Sequence, residues 1–387
     1  MGRRPTDPRT APTAHPGRPL SSRVAPALIA ALVTLTAAGC VGRKGGNDTD
    51  PLPPQNQVLE PTGPAPTTTP ATTAPATTTQ TTSTPSSTTA APTSTTTATP
   101  AAAPTGPPYA VGSVTATYVD PTRPTGPRGN VAGAPTRTLR TTVRYPSSAP
   151  AGTPDGALPP APGPFPLLVF AHGFNIDTAA YAEALRGWAA AGYVVAAPEL
   201  PLTSTALPGP AVETDLPNQP ADLGTVITNV LAASNGPGPF GGLVDPNRIA
   251  VLGHSDGGNT VAAMAANSCC RDPRVKAVVA YAPEQAFFPS TWFGGANPPL
   301  LVVHGTGDTI TRYANGKAIY DGASAPKYLL TVQGGSHLGP LQDPSLRAMV
   351  DPVVLDFLRA ELTGDAGALA AMRAAGSVAP LSLVGSP

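Results

Sequence analysis

One short stretch, Gly253-His254-Ser255-Asp256-Gly257-Gly258, constrains the fold more than any other part of the chain. It begins where the apolar run 248–252 ends, and a run of small residues typical of a helix follows it. In a G-x-S-x-G turn the backbone folds so tightly at the serine that Cβ atoms two residues away on either side would collide, so glycine is needed there. The stretch therefore predicts a strand, a sharp turn that exposes the Ser255 hydroxyl, and a helix whose unpaired N–H groups lie behind it.

The composition limits which classes of protein the chain can belong to. Its 387 residues include 52 prolines, many of them in a long Thr/Pro/Ala tract, so we expect one large folded domain. Basic and acidic residues number 23 each, and only 12% of residues are charged, which argues against nucleic-acid binding. Cys40, Cys269 and Cys270 form no C-x-x-C motif, so neither a metal ion nor another cofactor is expected. Whether the adjacent Cys269 and Cys270 form a vicinal disulfide is left open.

The N-terminal residues have the pattern of an export signal. Residues 1–23 carry five arginines and one aspartate, and the apolar run 24–38 is too short to span a membrane comfortably. Ala37-Ala38-Gly39-Cys40 resembles a bacterial lipobox, although Leu is more usual at the first position. We expect a lipoprotein-type signal peptide over 1–39 and a lipidated Cys40 that attaches the exported chain to the outer face of the cell membrane. Secretion into the medium or cell wall and an uncleaved anchor are the alternatives.

Composition also divides the remainder of the chain. Residues 40–108 are rich in Thr, Pro, Ala, Ser and Gly and lack the apolar surface that offsets the entropy of ordering, so they predict a disordered, extended stalk. Regular patterns occupy residues 109–363, the predicted catalytic domain. Residues 364–387 are small and Gly-rich, and they predict a flexible C-terminal tail.

Two kinds of pattern alternate in the folded domain. Period-two alternation at 114–119 and 139–145 predicts antiparallel strands with one buried face. Six short apolar runs are typical of strands buried on both faces of a parallel sheet: 167–171, 193–197, 249–252, 275–280, 300–303 and 328–332. Helical segments lie at 179–191, 221–233, 258–266, 312–320 and 345–361. The alternation predicts an α/β fold with a mostly parallel, doubly wound sheet, antiparallel N-terminal strands and helices on both faces.

Ser255 can act as a nucleophile only if an imidazole accepts its proton and a carboxylate orients that imidazole. His337 follows the last apolar run in a glycine-bordered loop that can bend over the sheet edge, so it is the expected base. His254 stands beside Ser255, where adjacent side chains diverge. His172 and His304 each precede a glycine at a predicted strand end, a position that more often shapes a loop.

Asp308, in the loop after the strand predicted at 300–303, is the expected acid. One alternative is that Asp308 is an ordinary turn aspartate that caps a helix. The other is that Glu284, at the end of the preceding predicted strand, is the acid. The order Ser255, Asp308, His337 along the chain favours Asp308.

An oxyanion that forms during attack needs two backbone donors. We expect one from the N–H of Asp256, directly after the serine, and the other from the N–H of Phe174, in the loop after the first long apolar run. The carboxylate of Asp256 would be unfavourable beside an oxyanion. It is therefore expected to point to solvent and to cap the following helix.

Several motifs in chain order together resemble a known superfamily: H-G-F at 172–174, N-Q-P-A-D-L at 218–223, G-H-S-x-G-G at 253–258, H-G-x-x-D at 304–308 and G-x-S-H at 334–337. Residues 109–361 resemble α/β-hydrolases of the dienelactone hydrolase, platelet-activating-factor acetylhydrolase, chlorophyllase and cutinase-like polyesterase type. The resemblance implies the α/β-hydrolase fold. Polyesterases of this type often have Met where this chain has Asp256, and many have a C-terminal disulfide for which this chain has no cysteine.

The resemblance also implies roles for single residues. It carries over Ser255 as nucleophile, Asp308 and His337 as its partners, and the N–H groups of Phe174 and Asp256 as oxyanion donors.

The loop after the strand predicted at 275–280 bears on substrate binding. About eighteen residues separate Tyr281 from Pro299, too few for a large cap domain, so the pocket should be open. The loop contains four of the ten Phe and Trp residues of the chain: Phe287, Phe288, Trp292 and Phe293. We expect Phe288 and Trp292, together with Phe174, to contact substrate, and packing of the loop onto the domain is the alternative.

These observations predict an exported serine hydrolase that cleaves carboxylic esters through an acyl-enzyme. Its partners would be a small-molecule, lipid or polymer ester and, through the lipidated N-terminus, a membrane. We expect a monomer. The alternatives are a peptidase or other acyl transferase that uses the same triad, and a catalytically silent cell-envelope binding protein on a hydrolase scaffold.

Overall fold

A computed structural model describes residues 106–387 apart from 239, 286 and 287. The predicted signal peptide 1–39, Cys40 and most of the predicted stalk 40–108 lie outside the described residues, and so does Phe287. Within the described part, no helix combines the length and the apolar character needed to cross a membrane.

The described residues form a nine-stranded sheet in the order β1-β2-β4-β3-β5-β6-β7-β8-β9. Its strands are β1 Ala110–Asp120, β2 Arg137–Ser147, β3 Phe165–Ala171, β4 Val194–Pro198, β5 Val244–His254, β6 Val275–Tyr281, β7 Leu300–Gly305, β8 Lys327–Val332 and β9 Leu381–Ser386. Strands β3 to β8 are parallel to one another. Strand β2 is antiparallel to both β1 and β4, and β9 is antiparallel to β8. The predicted mostly parallel sheet with antiparallel N-terminal strands is confirmed.

Helices cover both faces of this sheet. They are α1 Ala182–Ala190, α2 Gln219–Asn235, α3 Asp256–Ala266, α4 Tyr313–Gly322, α5 Gly339–Gln342, α6 Pro344–Thr363 and α7 Ala366–Ala375, with 3₁₀ turns at Thr178–Tyr181 and Glu213–Asn218. Alternate residues of β3 face opposite layers. Leu167 belongs to the apolar cluster that includes residues of α2 and α3, whereas Leu168 belongs to the cluster that includes residues of α1 and α6. Burial on both faces explains why the central strands are continuously apolar.

The C-terminal residues correct one prediction. Residues 364–387, predicted as a flexible tail, form α7 and β9, so regular structure continues past the predicted domain boundary. Asp365 caps α7 by accepting two backbone N–H bonds, and Met372 and Leu381 are buried at 0% and 5% exposure. The edge of β8 offers unpaired backbone groups that β9 satisfies, and this pairing orders a segment whose apolar side chains are mostly small.

Candidate active site

The turn at Ser255 has the conformation that its glycines predicted. Strand β5 runs directly into Ser255, which has φ 55° and ψ −121°, and α3 begins at the next residue. A residue with a side chain rarely adopts a positive φ, and such strain is concentrated at functional sites. A Cβ on Gly253 would collide with the backbone of Gly257, and one on Gly257 with the backbone of Ala171 on β3. Glycine at both positions therefore lets the serine project from the sheet edge.

Asp308 and His337 meet at the ends of neighbouring strands, since Asp308 follows β7 and His337 follows β8. His337 Nδ1 lies 2.7 Å from Asp308 Oδ2. Asp308 Oδ1 accepts the backbone N–H groups of Ile310 and Thr311, each at 2.9 Å, and Asp308 is 7% exposed. These bonds fix the carboxylate, which in turn orients the imidazole. In a neutral imidazole whose Nδ1 donates to Asp308, Nε2 is the unprotonated nitrogen that can act as a base.

A cavity of about 340 Å³ lies over these residues and is lined by Ser255 and His337. The hydrogen bonds that the described residues give His337 reach Asp308 and His254, and none of them joins its ring to Ser255 Oγ. In unliganded hydrolases the bond between nucleophile and base is often long and tightens when substrate binds. Ser255 and His337, the predicted nucleophile and base, therefore line the same cavity.

The two predicted oxyanion donors line the same cavity. Phe174 lies in the loop after β3, and Asp256 is the first residue of α3. Among the backbone hydrogen bonds of the described chain, none satisfies the N–H of either residue. Both N–H groups are thus available to an oxygen at Ser255. Their catalytic role stays a prediction.

His172 holds the loop that carries one of these donors. Its Nε2 accepts the backbone N–H of Leu200 at 3.0 Å, which places the proton on Nδ1, and Nδ1 donates to the Gly173 carbonyl at 2.7 Å. That carbonyl belongs to the same peptide unit as the Phe174 N–H. Burial lowers the pKa of His172, so the ring stays neutral and keeps this tautomer. His172 therefore orients the peptide rather than transferring protons, as its His-Gly pattern predicted.

A second buried histidine, His254, connects the loop that carries Phe174 to His337. The N–H of Gly173 donates to Tyr181 Oη at 3.2 Å, and Tyr181 Oη donates to His254 Nδ1 at 2.9 Å. His254 Nε2 then donates to the carbonyl of His337 at 2.9 Å. Burial lowers the pKa of His254 to about 3, so the ring is neutral. Each hydrogen bond in this series therefore has one defined donor and one defined acceptor. Sequence reasoning missed Tyr181, which lies 73 residues before His254 and carries no local motif.

His304 lies behind the acid. Its Nε2 donates to the Thr311 carbonyl at 2.9 Å and lies 3.3 Å from Asp308 Oδ2, and the side chain is fully buried. Burial lowers the pKa of His304, so it is neutral. His304 supports the Asp308 loop, as expected for a histidine that shapes a strand end.

Comparison with known proteins agrees with this geometry. The family described as Chlorophyllase matches residues 138–287, a range that contains Phe174 and Ser255 and ends before Asp308. The ferulic acid esterase from Streptomyces cinnamoneus is similar in structure, with a TM-score of 0.51 and 22% sequence identity over 69% of this chain and 93% of the esterase chain. No curated protein matches the sequence. The chain has the α/β-hydrolase fold.

The two matches confirm the predicted α/β-hydrolase resemblance and fold, and they support the predicted enzyme class, a carboxylic ester hydrolase. Within this α/β-hydrolase, the connection between β6 and β7 contains no helix or strand among its described residues. The site is therefore open on that side, without a large cap domain.

One wall of the hydrolase cavity is acidic, being lined by Asp256, Glu213 and Glu284. Asp256 was expected to point to solvent, but it is only 5% exposed because the turn Glu213–Asn218 and the residues after β6 pack at the start of α3. Its Oδ1 accepts from Asn259 Nδ2 at 3.3 Å, whereas Oδ2 has no partner in the described structure. Burial, and then the charges of Glu213 and Glu284, raise the pKa of Asp256 to about 7.

The aromatic loop after β6 corrects the predicted substrate contacts. Phe288 is buried with Leu216 and Ala263, and Trp292 packs against the same cluster. Neither ring lines the cavity at Ser255. Packing on the turn and on α3 buries Phe288 and half-buries Trp292, which removes apolar ring surface from water, so the alternative of loop packing is correct for both. Phe174 does line the cavity and is 37% exposed.

Two further points concern cysteine and metal sites. Cys269 and Cys270 form a vicinal disulfide shortly after α3, which decides between the alternatives that the sequence left open. No cluster of three or more His, Cys, Asp or Glu side chains suited to a metal ion occurs in residues 106–387 as far as they are described.

Proposed function

We propose that this α/β-hydrolase is a serine esterase in which Ser255, His337 and Asp308 form the catalytic triad. The observation that carries the proposal is the bond between His337 and Asp308 at two strand ends, in a cavity that also exposes a serine with φ 55°. No other serine lines this cavity among the described residues. Ser255, His337 and Asp308 together have the composition of an acyl-transfer site.

In the first half of the reaction, Ser255 Oγ attacks the carbonyl carbon of the ester and its proton passes to His337 Nε2. The imidazolium is stabilised by Asp308, which keeps its negative charge. The oxyanion accepts the N–H groups of Phe174 and Asp256. Collapse of the tetrahedral intermediate breaks the bond to the leaving oxygen, which takes the proton from His337 and departs as the alcohol.

In the second half, water replaces the alcohol. His337 Nε2 takes a proton from the water, whose oxygen attacks the acyl carbon, and a second oxyanion forms in the same place. When this intermediate collapses, Ser255 Oγ leaves and recovers the proton from His337. A carboxylic acid is released, and the enzyme returns to its starting state.

Substitution of the nucleophile tests this proposal. Ser255→Ala should lower kcat for a short p-nitrophenyl ester by about 10⁴-fold or more, because no other group forms the acyl-enzyme. Ser345→Ala, at an exposed serine in the first turn of α6, is the matched control and should retain full activity. A fluorophosphonate probe should label the wild type and the control but not Ser255→Ala. Unchanged ester hydrolysis by Ser255→Ala would refute the assignment.

The same assays separate the alternatives. A peptidase would cleave a p-nitroanilide with kcat/KM comparable to that of the matched ester, and a silent binding protein would react with neither substrate nor probe. An ester of an aromatic acid belongs in the panel because the structural neighbour is named as a ferulic acid esterase.

We also propose that the enzyme is exported and attached to the outer face of the membrane through a lipid on Cys40, and that it acts as a monomer. The arginine-rich start, the apolar run 24–38 and Ala37-Ala38-Gly39-Cys40 support export and lipidation. Cells fed an alkyne-labelled fatty acid should label the wild type but not Cys40→Ala. Labelling of Cys40→Ala would contradict this proposal, and light scattering of the purified domain tests the monomer.

A further inference from the structure

The acidic wall of the cavity contains three carboxyl groups and no compensating cation. Asp256, Glu213 and Glu284 line it, and none of them forms an ion pair with a Lys or Arg of the described chain. Among the other lining residues, burial keeps His254 neutral, and Asn175, Ser255 and Thr311 carry no charge. Of the three, Asp256 is buried, Glu284 is half-buried and Glu213 is exposed. A buried carboxyl group is normally paired with a cation or a metal ion, so an unpaired Asp256 with two further carboxylates at the same cavity indicates a ligand.

Asp256 gives the strongest indication. It is 5% exposed, and its Oδ2 has no hydrogen-bond partner in the described residues, although a buried acceptor left unsatisfied destabilises the fold. Glu213 and Glu284 act on it from two other elements and help to raise its pKa to about 7. A cation bound beside Glu213 and Glu284 would offset their charges and favour ionisation of Asp256.

The Glu284 carboxylate is held by a side-chain hydrogen bond, whereas Glu213 is positioned through its backbone. Glu284 donates its backbone N–H to Asn259 Oδ1 at 2.6 Å, and its Oε2 accepts from Asn315 Nδ2 at 2.9 Å, which leaves Oε1 for another partner. Glu213 begins the turn that also contains Asp215, whose carboxylate is bound by Arg137 at 3.0 and 2.7 Å. Glu284 and the backbone of Glu213 are therefore preorganised.

We propose that this wall binds an ammonium-type cation carried by the substrate, so that the ester cleaved at Ser255 bears a positive charge on its acyl or its alcohol part. Carboxylates form charge-assisted hydrogen bonds and ion pairs with such a group, and they repel an anionic substrate. Apolar side chains at the same cavity, among them Ile176, Ile310 and Leu338, accommodate the hydrocarbon that joins the cation to the ester. The inference rests on the proposed esterase function and adds the substrate class.

Matched esters test it directly. Each set contains a trimethylammonium compound, its neutral tert-butyl isostere, a hydroxylated neutral analogue and a carboxylate analogue, with the group on the acyl side in one set and on the alcohol side in the other. In at least one set, the wild type should have a kcat/KM about tenfold or more higher for the cation than for the tert-butyl isostere. The carboxylate analogue should be the poorest substrate. Tetramethylammonium should also inhibit hydrolysis of the neutral ester competitively.

Substitutions then locate the charge selectivity. Glu213→Gln and Glu284→Gln should each lower the cation-to-neutral ratio of kcat/KM by about threefold to tenfold, the range for a partly screened ion pair. Each should also raise the inhibition constant of tetramethylammonium. Glu183→Gln removes an exposed carboxylate on α1, away from the cavity, and should leave the ratio and the basal rate unchanged.

The results distinguish failure of the cation site from failure of the esterase function. If the neutral ester is hydrolysed but the cationic, neutral and hydroxylated members react equally, the cation site is refuted and the esterase function stands. A preference for the hydroxylated member, or a ratio that Glu213→Gln and Glu284→Gln leave unchanged, refutes it as well. If the wild type hydrolyses no ester in either set and resists the fluorophosphonate probe, the proposed function itself fails.

Discussion

Two groups of carboxylates share one turn of this hydrolase and have opposite environments. In the first, Arg137 on β2 is 0% exposed, contacts Asp222 at 2.7 and 2.6 Å and also binds Asp215. The second is the acidic wall of the cavity, where Glu213 and Asp256 have no counter-cation among the described residues. Asp215 and Glu213 belong to the same 3₁₀ turn, so one turn contributes to both groups.

The difference separates a structural charge from one available to a ligand. Arg137 can offer a fork of donors to two carboxylates at once, and this pairing offsets the cost of removing all three groups from water. The paired group fixes the turn Glu213–Asn218 against β2 and the start of α2. The unpaired group faces the cavity at Ser255, where a substrate can supply the missing charge.

The largest effect is expected from breaking the paired group. Arg137→Met leaves Asp215 and Asp222 buried without their main partner, so the free energy of unfolding should fall by about 3–5 kcal/mol. Denaturant titration measures this change. Arg123→Met is the control, since Arg123 contacts Asp222 at 2.7 Å from a partly exposed position and should cost only about 1 kcal/mol. Equal losses for the two variants would contradict the central role of Arg137.

Asp256→Asn tests the unpaired group and should act in the opposite direction. The pKa of Asp256 is about 7 in the folded state against 3.8 for an ordinary aspartate, so between these values the unfolded chain loses the proton while the folded chain keeps it. Stability therefore falls as pH rises through this window, by on the order of 4 kcal/mol once the pH exceeds 7. The asparagine variant lacks this titration.

The measurement is the difference in unfolding free energy between Asp256→Asn and the wild type as a function of pH. This difference should be near zero at pH values below 3.8. It should increase in favour of the variant as the pH rises from 3.8 to about 7. A difference that does not vary with pH would show that Asp256 is not the group that titrates.

A third polar group, the series of hydrogen bonds through Tyr181 and His254, differs from both carboxylate groups. It is fully hydrogen-bonded yet carries no charge. Tyr181→Phe removes the hydroxyl that accepts from Gly173 and donates to His254. Since the loop that carries the predicted oxyanion donor Phe174 then loses one support at Gly173, kcat should fall by about tenfold while KM changes little.

The control for this variant is Tyr328→Phe, which removes a buried phenol hydroxyl on β8, and it should leave kcat unchanged. A loss confined to stability or to KM in Tyr181→Phe would show that Tyr181 does not position the catalytic groups.

The smallest effect is expected from Glu213→Gln on stability. Glu213 is exposed and unpaired within the described chain, so the change in unfolding free energy should stay within about 0.5 kcal/mol. Together with the larger loss in Arg137→Met, this result would show that Glu213 and Asp215, two carboxylates of the same turn, have different roles. A loss comparable to that of Arg137→Met would contradict the comparison.

Much of the fold and part of the candidate site could be predicted because their signals are local. Short apolar runs alternating with helical segments predicted the parallel sheet, and glycines around Ser255 predicted a turn that the structure realises at φ 55°. Asp308 and His337 could be proposed because each follows a strand of the same sheet. The ordered C-terminus was missed because β9 depends on the free edge of β8 rather than on its own apolar content.

By itself, the sequence determined the order of the elements and placed Ser255, Asp308 and His337 at the ends of parallel strands, since periodicity and turn residues act over a few positions. Only the tertiary structure decided which side chains face one another. It buried Asp256 beside Glu213 and Glu284, moved Phe288 and Trp292 away from the cavity, and joined Tyr181 to His254 across 73 residues. Charge, burial and hydrogen bonding depend on neighbours distant along the chain, and those neighbours exist only once the sheet and its helices have packed.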